Sequence, residues 1–508
     1  MIFKLKHLVP FLITKVFSQL YFPADPYHLL EFEKKQFESK IPITSNIFKP
    51  YPLYENDSLK FSLTYRSEFY LNDNSPNQEN MDIRYFSKGI SNFNSLRLSF
   101  TSKYLYSIFE PYTKYEKFYD TKDVKRYGTF TNLNDNSLET SSIRDNSLRN
   151  FLLFFHYKGL GIGVQRVNRW WGPGHHSSLQ MTTNTVPMLS QIIGTLKEIK
   201  YKNFGLMVFY SFSKFDDHNN QIDKFYTSLN GQLTWYGPVL ISSGFSRNYL
   251  SGGMKSLDGR IWKAEDAKML VFEGFLTSNL IGNEYTVGGH DYWDQTISGY
   301  LSISLPDRSF KIYAEVGFND NRMYFADLLS QPDHTMATVI GFRDYGSKRL
   351  KNWIYGFEWT NLMISYTIRH REAYGTPAWY NRDLYNYSSY NNRRWSAHSG
   401  SDSDDWYFYV GYLSDKFVFI PSFNYERHGI VSNRPAEVKL ELNFDIRYKI
   451  MKTWFSIKYE KQYEAFLGFP DYFYEDKFGN PIDSSSGILA NNRKTNTFIF
   501  SFYKYINF

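Results

Sequence analysis

The chain has 508 residues, 19% of them aromatic, yet its mean hydropathy is −0.48. It holds no cysteine, which excludes disulfides, thiolate metal sites and a cysteine nucleophile. Its net charge of +7 is interleaved with acids, so it gives no case for nucleic acid and suits an acidic polysaccharide or lipid head groups.

Taken in order, residues 1–19 read as a signal peptide. Lys4 and Lys6 supply a positive start, and Leu8 to Phe17 is mostly apolar, interrupted by Lys15. In residues 20–55, Asp25 is placed to cap a helix with Pro26 at its first position, and Pro42, Pro50 and Pro52 prevent regular structure from continuing. From Leu59 the period becomes two, and residues 56–508 form one domain. Leu59, Phe61, Leu63 and Tyr65 alternate with polar residues, as do Leu96, Leu98 and Phe100.

Gly159 to Val167 reads as a strand, and it runs into Arg169-Trp170-Trp171-Gly172-Pro173-Gly174-His175-His176-Ser177-Ser178. Gly172 and Gly174 are open to backbone angles closed to other residues, and Pro173 pre-sets its own φ, so a rigid structural turn is expected. Arg169, Trp170 and Trp171 have two open roles: packing beside the turn, or contact with a ligand. His175 and His176 are adjacent, and neighbours on an extended chain point to opposite faces; no metal and no cofactor are assigned.

Further on, Ile312, Ala314, Val316 and Phe318 alternate with Lys311, Tyr313, Glu315 and Gly317. The stretch Tyr374–Asp405 is long and rich in aromatics and arginine. Trp379, Tyr380, Arg393, Arg394 and Trp395 are its candidate ligand residues: flat rings stack on sugar C–H faces, and guanidinium forks bind uronate carboxylates. Interfacial anchoring and packing within the loop are the competing roles. The same mixture suits single-stranded nucleic acid, which an exported barrel would not meet. Asp402, Asp404 and Asp405 lack the spacing of a calcium loop and are expected to be solvated.

The strand that decides the class is Val438 to Lys449. Six apolar or aromatic residues on one face alternate with Lys439, Glu441, Asn443, Asp445, Arg447 and Lys449. That length fits a tilted membrane strand of about 9–11 residues better than a soluble strand of about 5–6. No run approaches the roughly 18 apolar residues of a membrane helix, and closure of the sheet removes exposed edges. Short turns such as Leu305–Arg308 alternate with long polar stretches: Asn72–Asn80, Phe130–Asn150, Phe215–Asp223 and Tyr374–Asp405. The expected fold is all-β, a transmembrane antiparallel outer-membrane β-barrel. Its last strand carries Phe498, Phe500, Phe502, Ile506 and Phe508 on one face, as a recognition signal for the barrel-insertion machinery would.

The string from Arg169 to Ser178 resembles the signature of the Wzi-type capsule assembly proteins. Asn184 to Pro187 continues the likeness, Gly289 to Gln295 has its flavour, and Tyr425-Glu426-Arg427-His428-Gly429 is similar to a late family strand. Only the Trp-Trp-Gly-Pro-Gly element is specific, and His175-His176 follows it where members of the family vary. The resemblance implies about 16–18 strands, a short periplasmic helical segment at residues 20–55, and a non-enzymatic, lectin-like role. In that role the barrel anchors or assembles capsular or surface polysaccharide at the outer membrane, in contact with its lipid. The alternatives are a diffusion channel or transporter, and an accessory barrel of a surface secretion machine. No nucleophile elbow, His-Glu-x-x-His or phosphate loop is present to support an enzyme.

Overall fold

In the computed structural model the period-two segments become one antiparallel sheet closed on itself. The structure describes residues 26–45, 47–49, 60–117, 124, 126, 128–134, 142–215, 222–255, 261–272, 293–319, 329, 331–346, 350–365, 378–431, 436–468 and 492–507. Among these, eighteen strands form the wall. The first, Lys60–Asn72, pairs with the second, Gly89–Thr101, and with the last, Arg493–Asn507, so no edge is left open. One wall strand is broken into Leu189–Thr195 and Ile199–Tyr201, both paired to Phe204–Phe215.

The wall is apolar outside and polar inside, the reverse of a soluble protein. On Glu437–Ile450, Leu442, Ile446 and Tyr448 are exposed, while Lys439, Glu441, Asn443, Asp445 and Arg447 are buried. On Lys60–Asn72 the exposed residues are Phe61, Tyr65 and Phe69; on the last strand they are Phe498, Phe500 and Phe502. Such a surface is stable only against lipid, so the wall spans a membrane. Inward charges pair across neighbouring strands, as in Arg493–Glu464 at 2.6 Å and Arg149–Glu110 at 2.9 Å. Phe508 and residues 1–19 lie outside the described residues, as do 289–292 and 374–377.

Short turns and long connections alternate as expected. Residues 102–104, 237–239, 414–416 and 451–452 turn at one end, whereas 73–88, 167–188 and 362–402 connect strands at the other. One expected loop is partly strand: Ser142 to Asn150 belong to the long wall strand Ser142–Tyr157, whose polar first half extends the ladder with Leu105–Lys117.

The lumen is filled from both ends. The expected helix runs Pro26–Phe37 and sits inside the short-turn mouth. There Lys34 donates to Asn352 at 2.7 Å, and the following Lys40 pairs with Asp415 at 2.7 Å. Glu33 is its deepest anchor, bonded by Lys311 and Arg343 of the wall at 2.8 Å each and by the Tyr345 hydroxyl. Burial opposes charge on Glu33, yet Arg343 and Lys311 hold its carboxyl well below the usual range. From the other end, residues 167–188 and 378–402 fold inward. Leu29 and Phe32 of the helix, Phe48, Trp171, Met181 and Trp395 then share one apolar cluster at the centre.

Candidate functional site

The Trp-Trp-Gly-Pro-Gly string is the hub of this plug. Trp170–Trp171 forms a two-residue antiparallel ladder with Phe48–Lys49 from the N-terminal segment. Both tryptophans are buried, at 1% and 3% exposure, so they pack inside the barrel and do not form an interfacial belt. The Lys49 ammonium lies 5.0 Å from the Trp170 ring centre and donates to the carbonyls of Gly172 and Gly174 at 3.3 and 3.0 Å. Arg169 stacks over Trp171 at 5.4 Å and donates to Ser211 at 3.1 Å and to Ser190.

Beyond the turn, three successive backbone N–H groups converge on one wall carboxylate. His175 and Ser177 each donate to Glu358 at 2.6 Å and His176 at 3.1 Å, while Tyr313 donates its hydroxyl at 2.5 Å. Charge-assisted bonds of this kind are strong and short, and they lock the loop to the wall. A second wall carboxylate, Glu315, accepts from Leu179 N at 3.2 Å and Ser298 at 2.8 Å.

The two glycines serve different ends. Gly172 has φ +141°, and a side chain there would meet Ser178 and Glu315. Gly174 does not take positive φ, contrary to the expectation from its type. It is required because a Cβ would stand 1.9 Å from the Ser177 carbonyl oxygen.

The second candidate stretch packs onto the first. Thr182 N donates to Trp395 O at 2.7 Å, Asn184 Nδ2 to Arg394 O at 3.1 Å, and the Tyr380 hydroxyl to Leu179 O at 2.9 Å. Trp379, Tyr380, Arg393, Arg394 and Trp395 are all buried. Trp395 meets Tyr226 edge-on at 5.6 Å, and Trp379 meets Tyr380 at 5.7 Å. The Arg393 guanidinium carbon lies over Tyr85, 3.4 Å from its ring centre, and that of Arg394 lies 5.5 Å from the Tyr380 ring centre. Among the described residues neither guanidinium has a carboxylate within ion-pair distance, and burial lowers both to about 10.

Above these residues the same loop presents a different surface. Asn386, Asn391 and Asn392 are exposed, and Arg382, Tyr387 and Tyr390 are half-buried. Asn386, Tyr387, Ser388, Asn391 and Asn392 all have positive φ, a run of left-handed residues held by the buried contacts beneath. Arg394 Nη1 fixes this crest by donating to Tyr387 O at 2.6 Å.

The acidic cluster is not solvated as expected. Asp402, Asp404 and Asp405 are at most 2% exposed: Asp404 and Asp405 lie on the wall strand Ser403–Leu413, Asp402 just precedes it, and each acid has its own neighbours. Asp402 accepts from Val431 N at 3.0 Å, Asp404 pairs with Arg427, and Asp405 faces His176 and His398. His176 does not act with His175. It stacks on Tyr407 at 4.1 Å and joins Glu79, His398 and Glu426 in a group with metal-ligand spacing. Sequence spacing had no means of finding Lys49, Glu79, Glu358 or His398, whose partners His176, Gly172, Gly174 and His175 lie about a hundred residues or more away.

No family model matches the chain, and no curated protein matches it in sequence. Solved structures do match in fold. One is Wzi of Escherichia coli, an outer-membrane protein involved in group 1 capsule assembly and a carbohydrate-binding β-barrel. It is 10% identical, with a TM-score of 0.52 over 86% of this chain and 83% of that one. Others are OccK5 (OpdH) of Pseudomonas aeruginosa, with 9% identity, TM-score 0.40 and 88% and 98% covered, and OccAB2 of Acinetobacter baumannii, with 8%, 0.37, 89% and 98%. The lipid-facing wall and the fold match with Wzi together make this chain a closed antiparallel barrel of the outer-membrane type.

Proposed function

We propose that this barrel is a non-conducting, non-enzymatic surface protein that holds an acidic polysaccharide at its long-loop end. The observation that carries the reading is the filled lumen: buried carboxylates tie the helix and the first inward loop to three neighbouring wall strands, and the second inward loop packs onto the first. A diffusion channel needs a hydrated path, whereas four clefts found between plug and wall among the described residues hold about 260–320 Å³ each. The crest from Arg382 to Asn392 offers what a sugar chain needs: tyrosine faces for stacking and amides for hydroxyl groups, held rigid before binding. Buried Arg393 and Arg394 add positive charge beneath it, which favours uronate-bearing chains. In this reading Arg169, Trp170, Trp171, Trp379, Tyr380 and Trp395 position the crest and do not touch glycan. That Wzi is a carbohydrate-binding barrel of the same fold supports the same role here.

The test uses the purified barrel in two assays. In planar bilayers it should give no steady single-channel steps; large, steady steps would overturn the reading in favour of a channel. Immobilised barrel should retain an acidic capsular polysaccharide, and a Tyr387→Ala/Tyr390→Ala double variant with unchanged heat-modifiable gel mobility should lose that retention. Equal retention by parent and variant removes the crest as the site.

A further inference from the structure

Below the crest, side chains from four distant segments turn ligand atoms toward one point. Glu79 comes from the connection 73–88, His176 from 167–188, His398 from 362–402, and Glu426 from the wall strand Phe417–His428. Their ligand atoms all lie within 4.8 Å of one another. His398 Nε2 is 2.8 Å from Glu79 Oε2 and 2.8 Å from Glu426 Oε1, and His176 Nε2 is 3.9 Å from Glu79 Oε2. A tetrahedral ion with bonds of about 2.0–2.1 Å holds its ligand atoms roughly 3.3–3.4 Å apart. The observed separations bracket that value.

A second observation points to the same place. Asp405, with its side chain fully buried, sends Oδ2 to 3.3 Å from Nε2 of both histidines, yet neither of its oxygens accepts a hydrogen bond of ordinary geometry. Charge argues the same way. Among the described residues Lys439 pairs with Glu79, with Glu426 at 3.0 Å and with Glu441 at 3.3 Å, and His428 Nε2 lies 3.0 Å from Glu426, while Asp405 faces only the two histidines. Four buried carboxylates beside Lys439 and His428 leave an excess that a divalent cation neutralises.

We infer that Glu79, His176, His398 and Glu426 form a structural site for a divalent transition metal of the zinc class, with Asp405 as an additional oxygen ligand. Two imidazoles with carboxylates suit zinc, whereas calcium and magnesium favour oxygen alone. A cleft of about 300 Å³, lined by Asn77, Glu79, His398, Glu426 and Lys439, adjoins the group and gives the ion a way in. The ion would tie three long connections to the wall and so brace the crest from below. The site stands without the polysaccharide reading, because its ligands are counted by metal content alone.

The test takes the full-length barrel in detergent, stripped with chelator and titrated with Zn²⁺ alone. One equivalent should bind, and Co²⁺ in its place should give the visible absorption of a four- or five-coordinate nitrogen/oxygen site. His398→Ala and His176→Ala should each abolish stoichiometric binding and the cobalt spectrum. Where either variant fails to show heat-modifiable mobility, Glu79→Gln serves in its place. A folded parent that binds no Zn²⁺, or histidine variants that keep one equivalent, would overturn the site. The histidines would then be imidazolium partners of the carboxylates.

Discussion

Wall and plug are built from the same polar, aromatic-rich chain, but on opposite principles. In the wall each residue's environment follows from its parity: Leu442 faces lipid and Asn443 faces the lumen because they are neighbours on a strand. In the plug parity says nothing. Trp170 and Trp171 are consecutive and both buried, because one side of their ladder is covered by Lys49 and the other by Arg169, Phe209 and the apolar centre. The wall has backbone ladders that any sequence of the right period can make. The plug depends on individual contacts, each made once. It follows that single substitutions should be graded differently in the two regions.

The sharpest contrast is expected from Trp171→Ala. It removes a buried ring from the cluster that joins helix, ladder and both inward loops, at a cost of about 3–5 kcal/mol. Amide exchange at Phe48–Lys49 should accelerate and the yield of folded barrel should fall, while the strands that form retain their protection. Unchanged exchange would show that the plug does not turn on this residue. Leu442→Arg attacks the wall instead. A charge on the lipid face near mid-strand costs about 2–4 kcal/mol, so refolding into vesicles should be impaired at urea concentrations the parent tolerates. The inward Asn443→Asp on the same strand serves as control, and equal behaviour of the two variants would contradict the orientation of the wall.

A smaller effect is expected from acid. The folded carboxyl of Glu33 titrates below its unfolded value of 4.5, so its stabilising contribution is complete above that pH. It is lost as pH falls through the lower folded value. Protease cleavage in the segment after the helix should therefore be unchanged between pH 7 and 5 and increase only in stronger acid. A transition between pH 7 and 5 would mean that Glu33 does not carry the anchorage.

The same contrast explains what sequence reasoning reached. The strand Val438 to Lys449, the short turns and the outward Phe498, Phe500 and Phe502 were legible because period two is a local signal. The closed barrel, with eighteen strands among the described residues, lies within the expected 16–18. The Trp-Trp-Gly-Pro-Gly string stood out as a rigid bend, and the helix from Pro26 was also legible. Its partners were not: nothing near Trp170 in sequence announces Lys49, and nothing near His175 announces Glu358. Gly174 was singled out as a turn residue for the wrong cause, since crowding by Ser177 and not φ makes it necessary. The acids at Asp402, Asp404 and Asp405 read as solvated because a cluster of carboxylates looks like surface until the segment facing it is known.

The pairing of first and last strands has a consequence for the order of assembly. Ser62 lies opposite Asn507, so the ring cannot close until the strand Arg493–Asn507 has been delivered. Contacts of such long sequence separation are slow to form, because the intervening loop has to be ordered first. The segment bearing the helix and Phe48–Lys49 precedes the first strand, yet ends inside the ring that this strand completes. It lies in the mouth at which that strand begins, so its docking and the shutting of the seam meet at the same end of the ring. The seam is thus a late step in time: the lumen has no complete wall for its plug to dock against until the last strand arrives.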